Sequence, residues 1–280
     1  MCFDQKSSFA FAGMGLFCAW WIHSKTKNAD LASGVFFFFT MEFLQAIQYM
    51  FLATGLSDPY CDNVINQVLT LLGFLHICLQ PYYCHVINAS LTKSCKYKMK
   101  YDVVKRLCLI GGMLLFFRHF LSYIPSLNTM DVSDYKSTEW LRGEKLCTFK
   151  TQTMWHLGWS VPMADPSYYV MSASIHSFLM FAPFLALYEK KGMILQGCFL
   201  FLFGPIMASL ISDNLMEQAS IWCFFSIAQI AIMLFLIRET LIIHWGKGNI
   251  SVFKEDKKVA KDDYCRDFYN CSYCGKGKED

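Results

Sequence analysis

The sequence contains few charged residues. Lys, Arg, Asp and Glu together make up 17% of its 280 residues, against about 25% in soluble globular domains. Hydrophobic residues make up 55%, and long stretches carry no charge at all. A soluble domain of this length could not bury so many apolar segments of membrane-spanning length. The scarcity of charge therefore excludes an ordinary soluble protein and predicts an integral membrane protein in a lipid bilayer.

The formal net charge is only +3, and the basic residues stand in short clusters between the apolar segments. Nucleic-acid binding requires a basic surface, so we expect no nucleic-acid partner. The first apolar segment ends in AWWIHSK and lacks the small-residue cleavage site of a signal peptide. We therefore expect this segment to remain in the protein as its first membrane span.

Seven apolar segments predict seven membrane spans. They are residues 7–22, 29–53, 64–86, 103–124, 167–187, 193–211 and 219–243. The predicted fold is all-α, a bundle of seven transmembrane helices over residues 1–246 with a long outer loop at 125–166. Residues 247–280 form a charged tail that we expect to be disordered. Gly204-Pro205 predicts a kink in the sixth span, and the lack of an internal repeat argues against a transporter built from inverted repeats.

The loop charges predict an orientation. The loops after spans one, three and five are rich in Lys, as is the tail, whereas the loops after spans two and six contain no Lys or Arg. By the positive-inside rule the N-terminus lies outside and the C-terminus lies in the cytosol. The sequons at Asn88, Asn249 and Asn270 then face the cytosol, so we expect them to stay unglycosylated.

Polar side chains recur at helical spacing on four of the predicted spans. Residues three, four or seven apart share one helix face, and a polar group in hydrocarbon is costly unless it is paired or faces a cavity. The pattern predicts a polar pocket that opens outward beneath the long aromatic loop. The predicted pocket residues are Glu42, Gln45, His76, Gln80, Arg118, His119, His156, Asp165, His176 and Gln229.

Three functional hypotheses follow. In the first, the pocket binds or transports a small polar or amphipathic ligand, with proton coupling through Glu42 and His76. In the second, the protein is an intramembrane enzyme for a lipid or apolar substrate, in which Glu42, His76 and His176 are acid–base groups or ligands of zinc or iron, with His119 or His156 as a fourth ligand. No HExxH or HxxxH spacing occurs, so these ligands would have to come from different helices. In the third, the polar groups only hold the helices of a membrane-organising protein together.

Two further pairings are expected. Six of the 13 Cys lie in apolar segments, where a thiol behaves as a small hydrophobic group. Cys61 and Cys147 instead fall in predicted outer loops, and in an oxidising compartment they would form a disulfide that ties the long loop to the third span. Arg118 is expected to pair with Glu42, Asp165 or an anionic ligand, or else to extend to the outer interface.

The stretch 147–188, which contains HLGWSVPMADPSYY and HSFLMFAPF, and MEFLQAIQY at 41–49 carry a family resemblance. They resemble an uncharacterised family of multi-pass membrane proteins of large DNA viruses and microbial eukaryotes. The resemblance covers most of the membrane part but not the tail. It implies a membrane location and a viral or microbial source, and it implies no activity. The chain is not similar to rhodopsins or class A receptors, since span seven has no Lys and no NPxxY.

Overall fold

The computed structural model describes residues 4–92, 95–128, 139–151, 156–165, 172–187 and 191–232. These ranges are mostly helical, as predicted, and the expected tail at 247–280 lies outside them. The helices are α1 (Gln5–Thr26), α2 (Ala29–Gln48), α3 (Val64–Leu91), α4 (Cys95–Leu121), α5 (Ala173–Ala186), α6 (Lys191–Phe201), α7 (Met207–Ile211) and α8 (Leu215–Ile232). Two strands, β1 (Cys147–Lys150) and β2 (Leu157–Ser160), complete the fold.

Short polar residues set where several helices begin. The side chain of Asn28 accepts a hydrogen bond from the main-chain N–H of Leu31, at 3.0 Å, at the start of α2. Asn63 does the same for Ile65, at 2.8 Å, at the start of α3. Each cap satisfies one of the main-chain donors that the first helical turn leaves without a partner. The loops between the long helices therefore end at defined residues.

Every predicted apolar segment carries a helix, but the helices differ in how well they suit a membrane. Three are long and apolar enough to cross one: Ala29–Phe51, Val64–Leu91 and Met193–Ile211. The helix α4 begins with a Lys-rich turn, and α5 has only 14 residues. The structure thus supports association with a membrane, while the count of seven spans and the outward N-terminus remain predictions.

The outward face of α4 supports that association. Leu107, Ile110, Leu114 and Phe117 are all more than half exposed, and they follow one another at helical spacing. Soluble monomers rarely expose apolar patches of this kind, which mark contact with lipid or with another protein. On its inner side α4 packs closely against α3, since a Cβ at Gly112 would clash with the main-chain carbonyl oxygen of Cys78.

Two prolines shape the later helices. Pro183 has no N–H to bond the carbonyl oxygen of Leu179 one turn earlier. That oxygen instead lies 2.9 Å from Nε2 of His85 on α3, so α5 is tied to α3 at this point. Pro205 lies in a π-helical turn, Leu202–Ile206, between α6 and α7. A π-helical turn is a common way to absorb a proline inside a helix, and it occurs where the sequence predicted a kink.

The described part of the long loop between α4 and α5 contains two strands, which the all-α prediction missed. Its strands β1 and β2 pair antiparallel, with Cys147 opposite Ser160 and Lys150 opposite Leu157. Trp159 and Leu157 on β2 are buried. We call residues 139–165, without 152–155, the cap. It covers one end of the bundle, where α2 ends and α3 begins.

Candidate functional site

Hydrogen bonds attach the cap to three helices. Asn66 on α3 accepts a bond from the main-chain N–H of Thr148, at 3.0 Å, and donates to the carbonyl oxygen of the same residue, at 2.8 Å. The indole N–H of Trp159 donates to Gln48 on α2, at 3.2 Å. Ser220 on α8 donates to the carbonyl oxygen of Leu157, at 2.7 Å. All these groups are buried, so each bond replaces a hydrogen bond to water that the group loses when the cap folds.

A disulfide adds a covalent link. The sulfurs of Cys61 and Cys147, the pair named from the sequence, are bonded to each other. Cys61 lies in a turn that Asp58 organises, since its carboxylate accepts bonds from the side chain and N–H of Thr54 and from the N–H of Tyr60. These bonds, above all that from the Thr54 hydroxyl, lower the pKa of Asp58 to about 2. The cap is thus joined to the loop between α2 and α3.

Two buried ion pairs stabilise the cap, one between α4 and the cap and one within the cap. Nη1 of Arg118 lies 2.9 Å from Oε2 of Glu139, and their side chains are 0% and 3% exposed. Arg118 also donates from Nε and Nη2 to the carbonyl oxygen of Ala164, at 3.2 and 2.6 Å. In the second pair Arg142 bonds the carboxylate of Asp165. The carboxylate that forms an ion pair with Arg118 is thus that of Glu139, which the sequence had not indicated as a partner.

A cavity lies directly beneath the cap, between α3, α4, α5 and α8. About 30 Å³ of it can be occupied by the centre of a water molecule, which is room for two or three waters. Its walls are largely apolar and aromatic, and three polar side chains reach it, those of Gln80, Glu139 and His176. The other lining residues are Phe74, Ile77, Leu115, Trp140, Leu141, Met163, Ala173, Ala219, Trp222 and Cys223.

His176 is the polar group of the cavity whose hydrogen bonds are unmet. Its side chain is 2% exposed, and neither ring nitrogen has a hydrogen-bond partner among the described residues. By contrast, both oxygens of Glu139 have polar neighbours. Oε2 accepts no hydrogen bond among the described residues but lies 2.9 Å from Nη1 of Arg118 in an ion pair, and Oε1 accepts from the N–H of Ala173 at 3.2 Å. An unbonded buried polar group costs about 1–3 kcal/mol, so the imidazole is suited to bonding something inside the cavity.

The polar stripe of α2 lies behind this cavity. Glu42 is buried and is close enough to Cys223, on the cavity wall, to interact with it electrostatically. Nε2 of Gln80 lies 3.7 Å from the sulfur of the same cysteine. Gln45, one turn from Glu42, is fully buried, and its amide has no partner within the described part of the chain. The stripes predicted on α2 and α3 therefore do face the interior of the bundle.

The other predicted residues lie elsewhere. Nε2 of His76 lies 2.7 Å from the carbonyl oxygen of Phe37, and its ring stacks on that of Phe37. His119 bonds the carbonyl oxygen of Pro162 in the cap, at 2.9 Å. His156 is buried within the cap. The side chain of Gln229 lies outside the described residues.

The structure does not assemble the metal site expected from the sequence. His176 lines the cavity, whereas His76 is turned toward Phe37 on α2. Among the residues described here, no group of three His, Cys, Asp or Glu side chains could hold a metal ion. The physical reason is that His76 and His176 face different neighbours, although helical spacing had placed both on inward stripes.

Sequence reasoning missed several residues of the site. Glu139, Arg142 and Trp140 lie in a loop, where helical periodicity gives no indication of which side chains point inward. Trp222 and Cys223 lie in the seventh predicted apolar segment, but neither was among the predicted pocket residues. One feature of the sequence indicated the cap, namely the charged residues of its aromatic loop. Arg and Glu near a membrane are rarely buried unless they are paired, so buried charges in this loop had to pair.

Comparison with known proteins places this site in a family. Residues 6–242 match the model of a family described as Family of unknown function (DUF5765). The chain belongs to this family. The match covers every described helix, the cap and the cavity, so the arrangement lies within the part of the chain that defines membership. No curated protein and no solved structure matches the chain.

Proposed function

We propose that this member of DUF5765 is a multi-pass integral membrane protein that binds a small amphipathic molecule in the cavity beneath the cap. The observation that carries the proposal is a cavity with apolar walls on which the buried His176 has no hydrogen-bond partner among the described residues. Ligand sites in proteins are typically apolar recesses with a few oriented polar groups. This cavity has that character and lies in the middle of the bundle.

The placement of charge and cysteine supports seven spans with the N-terminus and the cap outside. The cap and its disulfide lie at one end of the bundle, and disulfides persist in oxidising compartments. The Lys-rich ends of α1 and α4 belong to the opposite end, since α2 and α3 run between the two ends. Basic residues favour the cytosolic side. The sequon at Asn88 is buried in α3, so it is closed to glycosylation in either orientation.

Binding is better supported than transport. Alternating access would require the cap to leave the bundle, and the cap is held by a disulfide, by the buried ion pair of Arg118 and Glu139, and by bonds to three helices. Catalysis has less support as well, because Glu139, the carboxylate that lines the cavity, is already bonded to Arg118 and Ala173.

Membrane insertion is tested first. Membranes that contain the full-length protein are washed with alkaline carbonate, and a glycosylation acceptor is inserted after Leu127 in one variant and after Lys27 in another. We expect the protein to remain in the pellet and only the first variant to gain a glycan. Release into the supernatant, or a glycan at the second position, would contradict the proposed placement.

Binding is tested with an octanol derivative that carries a photoreactive diazirine. The protein is labelled in lipid nanodiscs, and the modified peptides are located by mass spectrometry. We expect saturable labelling of the cavity segments of α5 and α8, which unlabelled 1-octanol displaces. Ala219→Val narrows the cavity and should abolish the saturable component, whereas Ala10→Val, on an exposed face of α1, should not. Labelling that never saturates would refute the proposal.

A further inference from the structure

We propose that His176 recognises a neutral hydroxyl group, so that the ligand class of the cavity is an aliphatic alcohol. This inference rests on the proposed function and adds the chemistry of the ligand. It depends on two independent observations, the cavity itself and a buried imidazole on its wall with both nitrogens unbonded among the described residues. Neither observation alone would identify a ligand.

His176 differs from the other buried histidines of the helices. Nε2 of His85 lies 2.9 Å from the carbonyl oxygen of Leu179, and its Nδ1 lies 3.2 Å from the amide of Asn88. His76 and His119 each bond a main-chain carbonyl oxygen. These three rings are fixed by the protein, and only packing on the cavity wall holds the ring of His176. Its hydrogen-bonding groups are therefore available to a molecule in the cavity.

The chemistry of a neutral imidazole favours a hydroxyl group. Such a ring has one nitrogen that donates and one that accepts, whichever tautomer is present. A hydroxyl can donate to the acceptor nitrogen or accept from the N–H, so it suits both tautomers. A carbonyl or an ether can only accept, and therefore suits the N–H alone. An alcohol is thus the simplest neutral group that His176 can bind in either form.

The charges around the cavity disfavour ionic ligands. Arg118 and Glu139 neutralise each other, and the remaining donors of Arg118 include two bonds to the carbonyl oxygen of Ala164. A ligand carboxylate would meet a guanidinium that is already paired, and it would lie near the buried Glu42 behind Cys223. A ligand ammonium would have to compete with the guanidinium of Arg118 and the N–H of Ala173 for the carboxylate of Glu139. An unpaired charge in such a site is far more costly than a neutral hydroxyl.

The walls of the cavity favour a hydrocarbon body for the part of the ligand that does not contact His176. Phe74, Trp140 and Trp222 present aromatic surface, which favours a hydrocarbon body. The room that water-sized groups can reach is about 30 Å³, which accommodates the hydroxyl-bearing carbon and its immediate neighbours in this conformation. A longer chain must extend toward the open side of the cavity. Aliphatic alcohols combine such a head with such a body.

The test uses the photoreactive octanol probe and three competitors of equal chain length: 1-octanol, octanoate and octylamine. We expect 1-octanol to displace the probe at the lowest concentration, by at least about fivefold, which is the change that one hydrogen bond of ordinary strength produces. His176→Phe should raise the half-saturating probe concentration by about the same factor and remove the preference for the alcohol. His176→Gln keeps a donor and an acceptor and should restore both.

Each outcome decides between the two proposals. Saturable labelling with equal displacement by all three competitors, or with octylamine or octanoate the strongest, would overturn the hydroxyl inference and leave the binding function standing. The same holds if His176→Phe keeps the full preference for 1-octanol. A complete lack of saturable labelling in the cavity segments would overturn both. If His176→Phe does not fold, as judged by gel filtration, the competitor series on the unaltered protein still decides.

Discussion

The buried pair of Arg118 and Glu139 offers the sharpest test of the cap. The perturbations are Arg118→Met, Glu139→Leu and the double variant. Each single change leaves one charge buried at the junction of α4 and the cap, because both side chains are almost completely inaccessible and 2.9 Å apart. Removing one partner of a buried ion pair typically costs about 3–5 kcal/mol, whereas replacing both with apolar residues is often nearly neutral.

The double variant should lose the hydrogen bonds that these two side chains make to the main chain. Arg118 also donates two bonds to the carbonyl oxygen of Ala164, and Glu139 accepts one from the N–H of Ala173. Leaving these two main-chain groups without partners costs about 1–3 kcal/mol each, partly offset by the removal of two buried charges. We therefore expect the double variant to be no less stable than either single variant, which corresponds to a coupling free energy of about 3 kcal/mol or more.

The assay is equilibrium unfolding in mixed detergent micelles, with thermal midpoints as a second measure. Asp102→Asn serves as the matched control, because Asp102 and Lys105 form a partly exposed pair at 2.7 Å that should contribute less than about 1 kcal/mol. Single-variant losses that simply add in the double variant would refute the reasoning. They would mean that the two charges do not contact each other in the folded protein.

Three further predictions concern single positions. Gly112→Ala should destabilise the protein by about 1–3 kcal/mol in the same unfolding assay, because its Cβ would overlap a main-chain oxygen of α3. Gly13→Ala should not destabilise it, because the space around Gly13 is open. Equal effects of the two changes would argue against close packing of α3 and α4. His85→Phe should lower the thermal midpoint, because it removes the ring nitrogen that lies beside the carbonyl oxygen left free by Pro183. His176→Phe should keep or raise the thermal midpoint. If His176→Phe instead lowers the midpoint more than His85→Phe does, the imidazole of His176 is bonded in the folded protein. The pKa of Asp58 is lowered to about 2, so the stability that its carboxylate contributes is present above the unfolded pKa near 3.8 and is lost as the pH falls through 2. Asp58→Asn should therefore reduce the difference in thermal midpoint between pH 5 and pH 2. An unchanged difference would contradict the bonding of this turn.

Much of the helical framework was predictable from the sequence, because its causes are local. The apolar segments found by composition coincide with helices, since a segment that must hide its main chain from lipid forms its hydrogen bonds internally. Helical spacing placed Glu42, Gln45 and Gln80 on inward faces, and the structure buries all three. The sequence also placed Cys61 and Cys147 in loops on the same side of the bundle and predicted a disulfide between them, which the structure contains.

The candidate site was less predictable, because its contacts join distant parts of the chain. Spacing along a helix tells which face a residue occupies, but not which neighbour that face meets. His76 and His176 lie on similar stripes, yet one bonds a carbonyl oxygen of α2 and the other lines the cavity. The strands of the cap are only four residues long, too short for a periodic pattern to be recognised.

The sequence by itself determined that this protein is helical and suited to a membrane, because charge content, apolar length and capping residues act within a few turns of the chain. It also supplied the inventory of polar groups that must be buried. Only the tertiary structure decided which of them pair. Arg118 lies 21 residues from Glu139 and 46 from Ala164, and their meeting depends on how the cap folds over α4. The same folding leaves His176 beside a cavity, with neither ring nitrogen bonded among the described residues.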